Sequence, residues 1–192
     1  MIAIIKYNAG NIRSVQNALQ RLGYESVITD DKEEILNAEK VIFPGVGEAS
    51  SAMKYLKERE LDRVITSLKQ PVLGICLGLQ LMSRYSEEGT TGCLNIFDSD
   101  VKLFPDTDKV PHMGWNDFFS LRGELFNGVS KKDDVYYVHS YYPEISSCTI
   151  AACDYILPFS AAMKKDNFYA TQFHPEKSAA VGERILKNFL EL

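Results

Sequence analysis

The 192-residue sequence contains no long apolar run, and nothing in it approaches the ~20 consecutive apolar residues that a membrane-spanning helix needs. Its first residues, Met1 to Tyr7, are apolar but few, and they lack the basic front of a secretory leader. Both absences point to a soluble, cytoplasmic chain with reduced thiols. A basic surplus is missing too. The formal charge is -5, and the 21 Lys and Arg are scattered in runs no longer than two. A nucleic-acid binder usually carries a basic patch or stripe, so that class is disfavoured. None of the four cysteines (Cys76, Cys93, Cys148 and Cys153) stands in a Cys-x-x-Cys pair, and there are only three histidines. This argues against a structural zinc site, and no metal or cofactor is expected. The sequence also lacks a GxxxxGK[ST] phosphate loop, an internal repeat, a low-complexity tract and a linker. One domain spanning residues 1–192 is the expectation.

Apolar residues make up 45% of the chain, enough to bury a sizeable core. In the first half, strand and helix patterns alternate. Ile2 to Ile5 is a continuous apolar run, as in a strand buried on both faces. Ile12, Val15, Leu19 and Leu22 follow at helical spacing, with Asn11 as a cap and Gly23 to close. Further strands are predicted at Ser26 to Thr29, Lys40 to Phe43 and Val72 to Cys76. Helices are predicted from about Ala49 to Leu68 and from Leu77 to Tyr85. This alternation implies a mostly parallel central sheet flanked by helices. The second half reads as short strands at Cys93 to Phe97, Val101 to Phe104, Val135 to Tyr142, Thr149 to Tyr155, Ser160 to Lys164 and Phe168 to Phe173, with a closing helix from Ala180 to Leu192. The expected fold class is therefore α/β with an antiparallel β extension.

Gly74-Ile75-Cys76-Leu77-Gly78 is a G-x-C-x-G segment where a buried strand turns into a helix. It is the cysteine version of the nucleophile elbow: the glycines make room for a sharp turn, and the side chain between them projects above the sheet edge. A helix N-terminus also favours a thiolate. The alternative is a small buried cysteine packed beside a tight turn. Cys93, Cys148 and Cys153 have no such setting and read as structural. A nucleophilic cysteine needs a base, and His174 in Phe173-His174-Pro175-Glu176 directly follows a predicted strand. Glu176 stands where it could orient the imidazole and stabilise its cation. His112 and His139 are rival bases without a carboxylate at comparable spacing.

Elbow and His-x-Glu together resemble the class I, or triad-type, glutamine amidotransferases, and the resemblance covers the whole chain in the family's order. It implies a flavodoxin-like fold and hydrolysis of L-glutamine through a cysteine thioester. Cys76 would be the nucleophile, His174 the general acid and base, and Glu176 its orienting partner. Phe43-Pro44-Gly45-Val46-Gly47 looks like the family's oxyanion loop, with donors from Val46 or Gly47 and from Leu77. The resemblance further implies substrate-binding roles for Gly45, Gly47, Gln80, Ser140 and Tyr141.

Within the family, Tyr7-Asn8-Ala9-Gly10-Asn11, Pro111-His112-Met113-Gly114-Trp115-Asn116 and Lys177-Ser178 look like the glutaminase branch that serves imidazole glycerol phosphate synthase in histidine biosynthesis. Asn8-Ala9 departs from that branch, which more often has Gly and a hydrophobic residue there. The branch implies a heterodimer with a cyclase subunit built as a (β/α)8 barrel. That subunit uses the ammonia to turn PRFAR into imidazole glycerol phosphate and AICAR. Asn11, Trp115 and Lys177 would lie at the interface. A glutaminase feeding a different sugar or nucleotide amination synthase would keep the same site residues. The rivals from other classes are a cysteine hydrolase or peptidase and a catalytically silent, partner-binding protein. Gln80 and the two loops count against the first, and the intact Cys, His and Glu against the second.

Overall fold

The computed structural model describes residues 1–8 and 10–192, so the departure noted at Asn8-Ala9 lies partly outside the described residues. In chain order the strands are β1 (Ile2–Ile5), β2 (Ser26–Thr29), β3 (Lys40–Gly45), β4 (Val72–Cys76), β5 (Tyr85–Ser86), β6 (Thr91–Gly92), β7 (Asp100–Leu103), β8 (His112–Asn116), β9 (Ser120–Leu121), β10 (Val135–His139), β11 (Tyr141–Pro143), β12 (Thr149–Tyr155), β13 (Leu157–Lys165) and β14 (Phe168–Thr171). The helices are α1 (Ile12–Arg21), α2 (Lys32–Asn37), α3 (Ala49–Glu58), α4 (Leu61–Ser67), α5 (Leu77–Met82) and α6 (Ala179–Leu190).

One eight-stranded sheet runs β2-β1-β3-β4-β14-β13-β12-β9. From β2 to β14 its neighbours are parallel, and from β14 to β9 they are antiparallel. The second half of the chain thus extends the sheet begun by the first. Along β1, Ile2 and Ile4 face one core while Ala3 and Ile5 face the other, which is why all four positions are apolar. The first core is covered by α1 and α6, through residues such as Val15, Leu19, Ile185 and Phe189. The second is covered by α2, α3, α4 and α5.

Several elements differ from the sequence reading. The pattern from Ala49 to Leu68 is two helices, because Glu60 takes a left-handed conformation (φ 57°) between them. The helix α5 stops at Met82, not Tyr85. Cys93 to Phe97 is not a strand; its backbone N–H groups bond to the carbonyls of Leu81, Met82, Ser83 and Arg84. The run Val135 to Tyr142 splits at Ser140 into β10 and β11, which join different sheets: β10 pairs with β8 in a ribbon, and β11 pairs with β7. Asn11 precedes α1 but its side chain caps nothing there; the residue is left-handed (φ 69°) and the amide is used elsewhere.

Candidate active site

The parallel strands β3, β4 and β14 are adjacent, so their C-terminal ends share one edge of the sheet. This is the edge at which open α/β sheets hold their ligands. It brings together Gly45 at the end of β3 with the Val46–Gly47 loop that follows, Cys76 at the end of β4, and His174 just past β14. Residues far apart in the chain meet here because of strand order alone.

Cys76 adopts φ 54° and ψ -106°, the strained backbone that a nucleophile elbow requires. The flanking glycines are dictated by packing. A Cβ on Gly78 would stand 1.8 Å from the Phe43 carbonyl oxygen, and one on Gly74 would stand 2.6 Å from the Met82 sulfur. The glycines therefore let α5 lie directly on β3 and β4. Leu77 opens α5, so its N–H has no partner within the helix and is available to a ligand. The Val46 carbonyl accepts from Gly10 N–H at 3.2 Å. Because a trans peptide points its C=O and N–H in opposite directions, the Gly47 N–H faces away from Gly10. Gly47 itself has φ 140°, a conformation that suits only glycine.

The His174 ring is fully enclosed, and its Nδ1 lies 2.8 Å from Glu176 Oε1. Asn11 donates to the same Glu176 oxygen. The His174 main chain is pinned to β10: its N–H donates to the Tyr136 carbonyl, while Ser178 Oγ donates to the His174 carbonyl and accepts from Tyr136 N–H. The residue is thus held at its backbone and at ring Nδ1, and His174 Nε2 is a buried nitrogen without a hydrogen-bond partner among the described residues. Burial alone would depress the imidazolium. The Cys76 sulfur and the Glu176 carboxylate outweigh it and raise His174 well above the usual imidazole range. A cysteine at a strained elbow beside an imidazole that a carboxylate orients is the arrangement needed for nucleophilic attack on a carbonyl carbon. At Cys93 and Cys153 burial pushes each thiol up to about 12.

A cleft of about 260 Å³ opens over Cys76. Val46, Gly47, Leu77, Gln80, Glu88, His139, Ser140 and Tyr141 are among the residues that line it. Gly45 is not in that lining; it pairs with Cys76 inside the sheet and carries the loop from beneath. Gln80 is buried, and its amide nitrogen is committed to the Tyr141 carbonyl at 3.1 Å and to Gln172 Oε1 at 3.0 Å. Gln172 in turn donates to the Cys76 sulfur at 3.6 Å. The sequence reading missed Gln172 and Glu88. Gln172 stands two residues before His174, and its polarity inside a buried run (Thr171 to Glu176) was a usable signal. Glu88 offers a carboxylate in the cleft; burial raises its pKa and a bond from Ala49 N–H partly offsets this.

The interface candidates divide. Trp115 is 54% exposed, with its ring edge against Tyr136 at 5.8 Å. Lys177 is also exposed, and its ammonium lies 6.0 Å from the centre of the same Tyr136 ring. Both therefore share a face beside the triad. Asn11 is half-buried and bonded to Glu176, so its side chain belongs to the triad's support.

A cysteine elbow, a buried His–Glu pair and a cleft at the carboxyl edge of a mixed sheet define a triad-type amide hydrolase. The chain belongs to the glutamine amidotransferase class-I family, whose model matches residues 3–192. Among its relatives is imidazole glycerol phosphate synthase subunit HisH of Bacteroides fragilis strain YCH46, 63% identical over 100% of this chain and 99% of that protein. The subunit of the same name in Escherichia coli K12 is 46% identical, with the same coverage of both chains. Among solved structures, a GMP synthase subunit from Thermoplasma acidophilum matches at TM-score 0.76 with 21% identity, covering 100% of this chain and 92% of that one, which shows a common fold. No helix among the described residues is long and apolar enough to cross a membrane.

Proposed function

We propose that this chain is the glutaminase subunit of an imidazole glycerol phosphate synthase, working in the cytoplasm as one amidotransferase domain over residues 1–192. The single observation that carries the chemistry is the convergence of the strained Cys76 with the enclosed His174–Glu176 pair at one sheet edge. Cys76 attacks the side-chain amide carbon of L-glutamine. The oxyanion takes hydrogen bonds from the Leu77 N–H and from a Val46 or Gly47 N–H. His174 gives a proton to the leaving nitrogen, and ammonia departs as the thioester forms. Water then attacks the thioester with His174 as base, and glutamate leaves. Glu176, supported by Asn11, stabilises the imidazolium and contacts no substrate. Glu88 has the charge to hold the substrate's α-ammonium group, and the Ser140–Tyr141 wall faces its other end. The cleft suits an amino-acid-sized ligand.

The partner in this reading is a cyclase subunit with a (β/α)8 barrel, docked on the face that bears Trp115 and Lys177. It would receive ammonia and convert PRFAR to imidazole glycerol phosphate and AICAR. The two relatives named as subunits of that synthase favour this acceptor over another sugar or nucleotide amination system. The test measures glutamate release from glutamine by the chain alone, with the cyclase subunit, and with the cyclase subunit plus PRFAR. Stimulation by the last combination supports the proposal. Equal release in all three, with no imidazole glycerol phosphate formed, refutes the assigned partner.

A further inference from the structure

His112 and His139 are both buried, and His112 Nδ1 lies 3.1 Å from His139 Nε2. The chemistry above uses neither ring. Their partners nonetheless assign every hydrogen. The Tyr141 carbonyl can only accept, so His139 Nδ1, 2.7 Å away, must carry a hydrogen. In a neutral ring His139 Nε2 is then bare and accepts from His112 Nδ1–H. This leaves His112 Nε2 bare, and the Asn116 amide faces it at 3.4 Å. Asn116 also donates to the Asp154 carbonyl at 3.2 Å, which fixes which end of its amide is nitrogen. Both rings are neutral because burial holds His112 to about 4 and His139 to about 3.

The line continues past the Tyr141 carbonyl. Gln80 donates to the same Tyr141 carbonyl and to Gln172, and Gln172 donates to the Cys76 sulfur. An unbroken sequence of correctly paired donors and acceptors therefore joins β8 to the nucleophile. His112 cannot easily rotate within it, since its ring is stacked between Tyr137 at 4.7 Å and Tyr155 at 4.0 Å. On β8, His112 and Asn116 enter this line while the alternate residues Met113 and Trp115 are exposed.

We propose that His112 and Asn116 are positioning residues for the glutamine cleft, acting through His139 to fix the Tyr141 carbonyl and with it the Ser140–Tyr141 wall. The kinetic part rests on the glutamine reading above; the hydrogen placement does not. Without a donor at His112 Nδ1, His139 Nε2 becomes a buried acceptor with no partner, so the ring is held only through its bond to the Tyr141 carbonyl, and the wall loses the restraint that fixes it.

The test uses His112→Phe, which keeps an aromatic ring between Tyr137 and Tyr155 but removes the donor. In the complex with the cyclase subunit, KM for glutamine should rise about tenfold, as expected for a buried acceptor left unpaired, with kcat within about twofold. His112→Asn, whose amide nitrogen replaces Nδ1 as donor, should recover most of the loss. Alkylation of Cys76 by iodoacetamide should keep its wild-type rate, while a chloroketone analogue of glutamine should react about tenfold more slowly. In nitrogen-15 spectra of the wild-type chain at neutral pH, both rings should carry hydrogen on Nδ1 and not on Nε2. Hydrogen on His139 Nε2, an unchanged KM in His112→Phe, or equal slowing of both reagents would overturn the proposal. If the wild-type complex does not hydrolyse glutamine, the glutamine reading fails, and the nitrogen-15 spectrum still decides the hydrogen-bond line.

Discussion

Replacing Gly78 by Ala puts a methyl group where the fold has no space for one. The new Cβ would stand 1.8 Å from the Phe43 carbonyl oxygen, whereas real Cβ contacts essentially never fall below 3.0 Å, so the two backbones must separate by about 1.2 Å. The strand cannot give way, because β3 is paired on both sides and Val41, Ile42 and Phe43 are fully buried. The shift therefore falls on α5, whose first residue supplies the Leu77 N–H and whose N-terminal neighbour is Cys76. A displacement of ~1 Å in a reacting arrangement lowers the rate on the order of 10²-fold. Overpacking itself costs about 1–3 kcal/mol, or roughly 2–4 °C of melting temperature per kcal/mol for a chain of this size. The expected Gly78→Ala protein melts several degrees lower by calorimetry and releases glutamate about a hundredfold more slowly in the complex at saturating glutamine. Gly92→Ala is the control, since nothing lies within 4 Å of its added Cβ. Wild-type melting and turnover in Gly78→Ala would refute the packing argument.

Three further outcomes are expected. His174→Ala should lose nearly as much glutaminase activity as Cys76→Ala, Glu176→Gln less, and Asn11→Ala least, about tenfold for one hydrogen bond to a charged group; steady-state glutamate release ranks them, and a Glu176 variant deader than the folded His174 variant would reverse the roles. An unfolded imidazole takes its proton near pH 6.5, but folded His112 and His139 do so only at about 4 and about 3, so the unfolded chain binds more protons in between and stability falls as pH drops from about 6.5 to 4. His112→Phe should remove one proton from that slope, about 1.4 kcal/mol per pH unit in urea unfolding, and an unchanged slope would contradict the neutral burial. Trp115→Ala should weaken the complex with the cyclase subunit by more than ~1 kcal/mol in a binding titration, since the exposed indole beside the triad has the character of an interface anchor; unchanged affinity would place the docking face elsewhere.

The parallel half of the fold was legible because its signal is simple. Strands buried on both faces read as unbroken apolar runs, and Ile2–Ile5 and Val72–Cys76 fell where they were expected. The placement of Cys76 and His174, the proposed nucleophile and base, was legible for a related reason: both stand at or just past the ends of such strands, beside glycine or proline. What was harder to read depended on tertiary contacts. The β8 strand was read only as a family motif, because its exposed positions are the apolar Met113 and Trp115 and its inward positions include His112 and Asn116, the reverse of an ordinary amphipathic strand. The break between β10 and β11 is invisible in a run of strand-forming residues; it arises because Phe104 N–H takes the Ser140 carbonyl as the chain changes sheets. The short helix α2 was overlooked, although Asp31 accepting from Glu34 N–H is an N-terminal capping pattern that could have marked it. Asn11 looked like an ordinary helix cap, and only strand order brings it to Glu176, 165 positions away.

The central claim is that Cys76 carries the glutamyl group, and acid quenching tests it most directly. The complex would be mixed with glutamine during turnover, quenched in acid to preserve thioesters, digested and mapped by mass spectrometry. A glutamyl adduct is predicted on the peptide containing Cys76, absent from the Cys76→Ser protein and from peptides containing Cys93, Cys148 and Cys153. An adduct on one of those other cysteines, or continued glutamate release by Cys76→Ala, would contradict the claim.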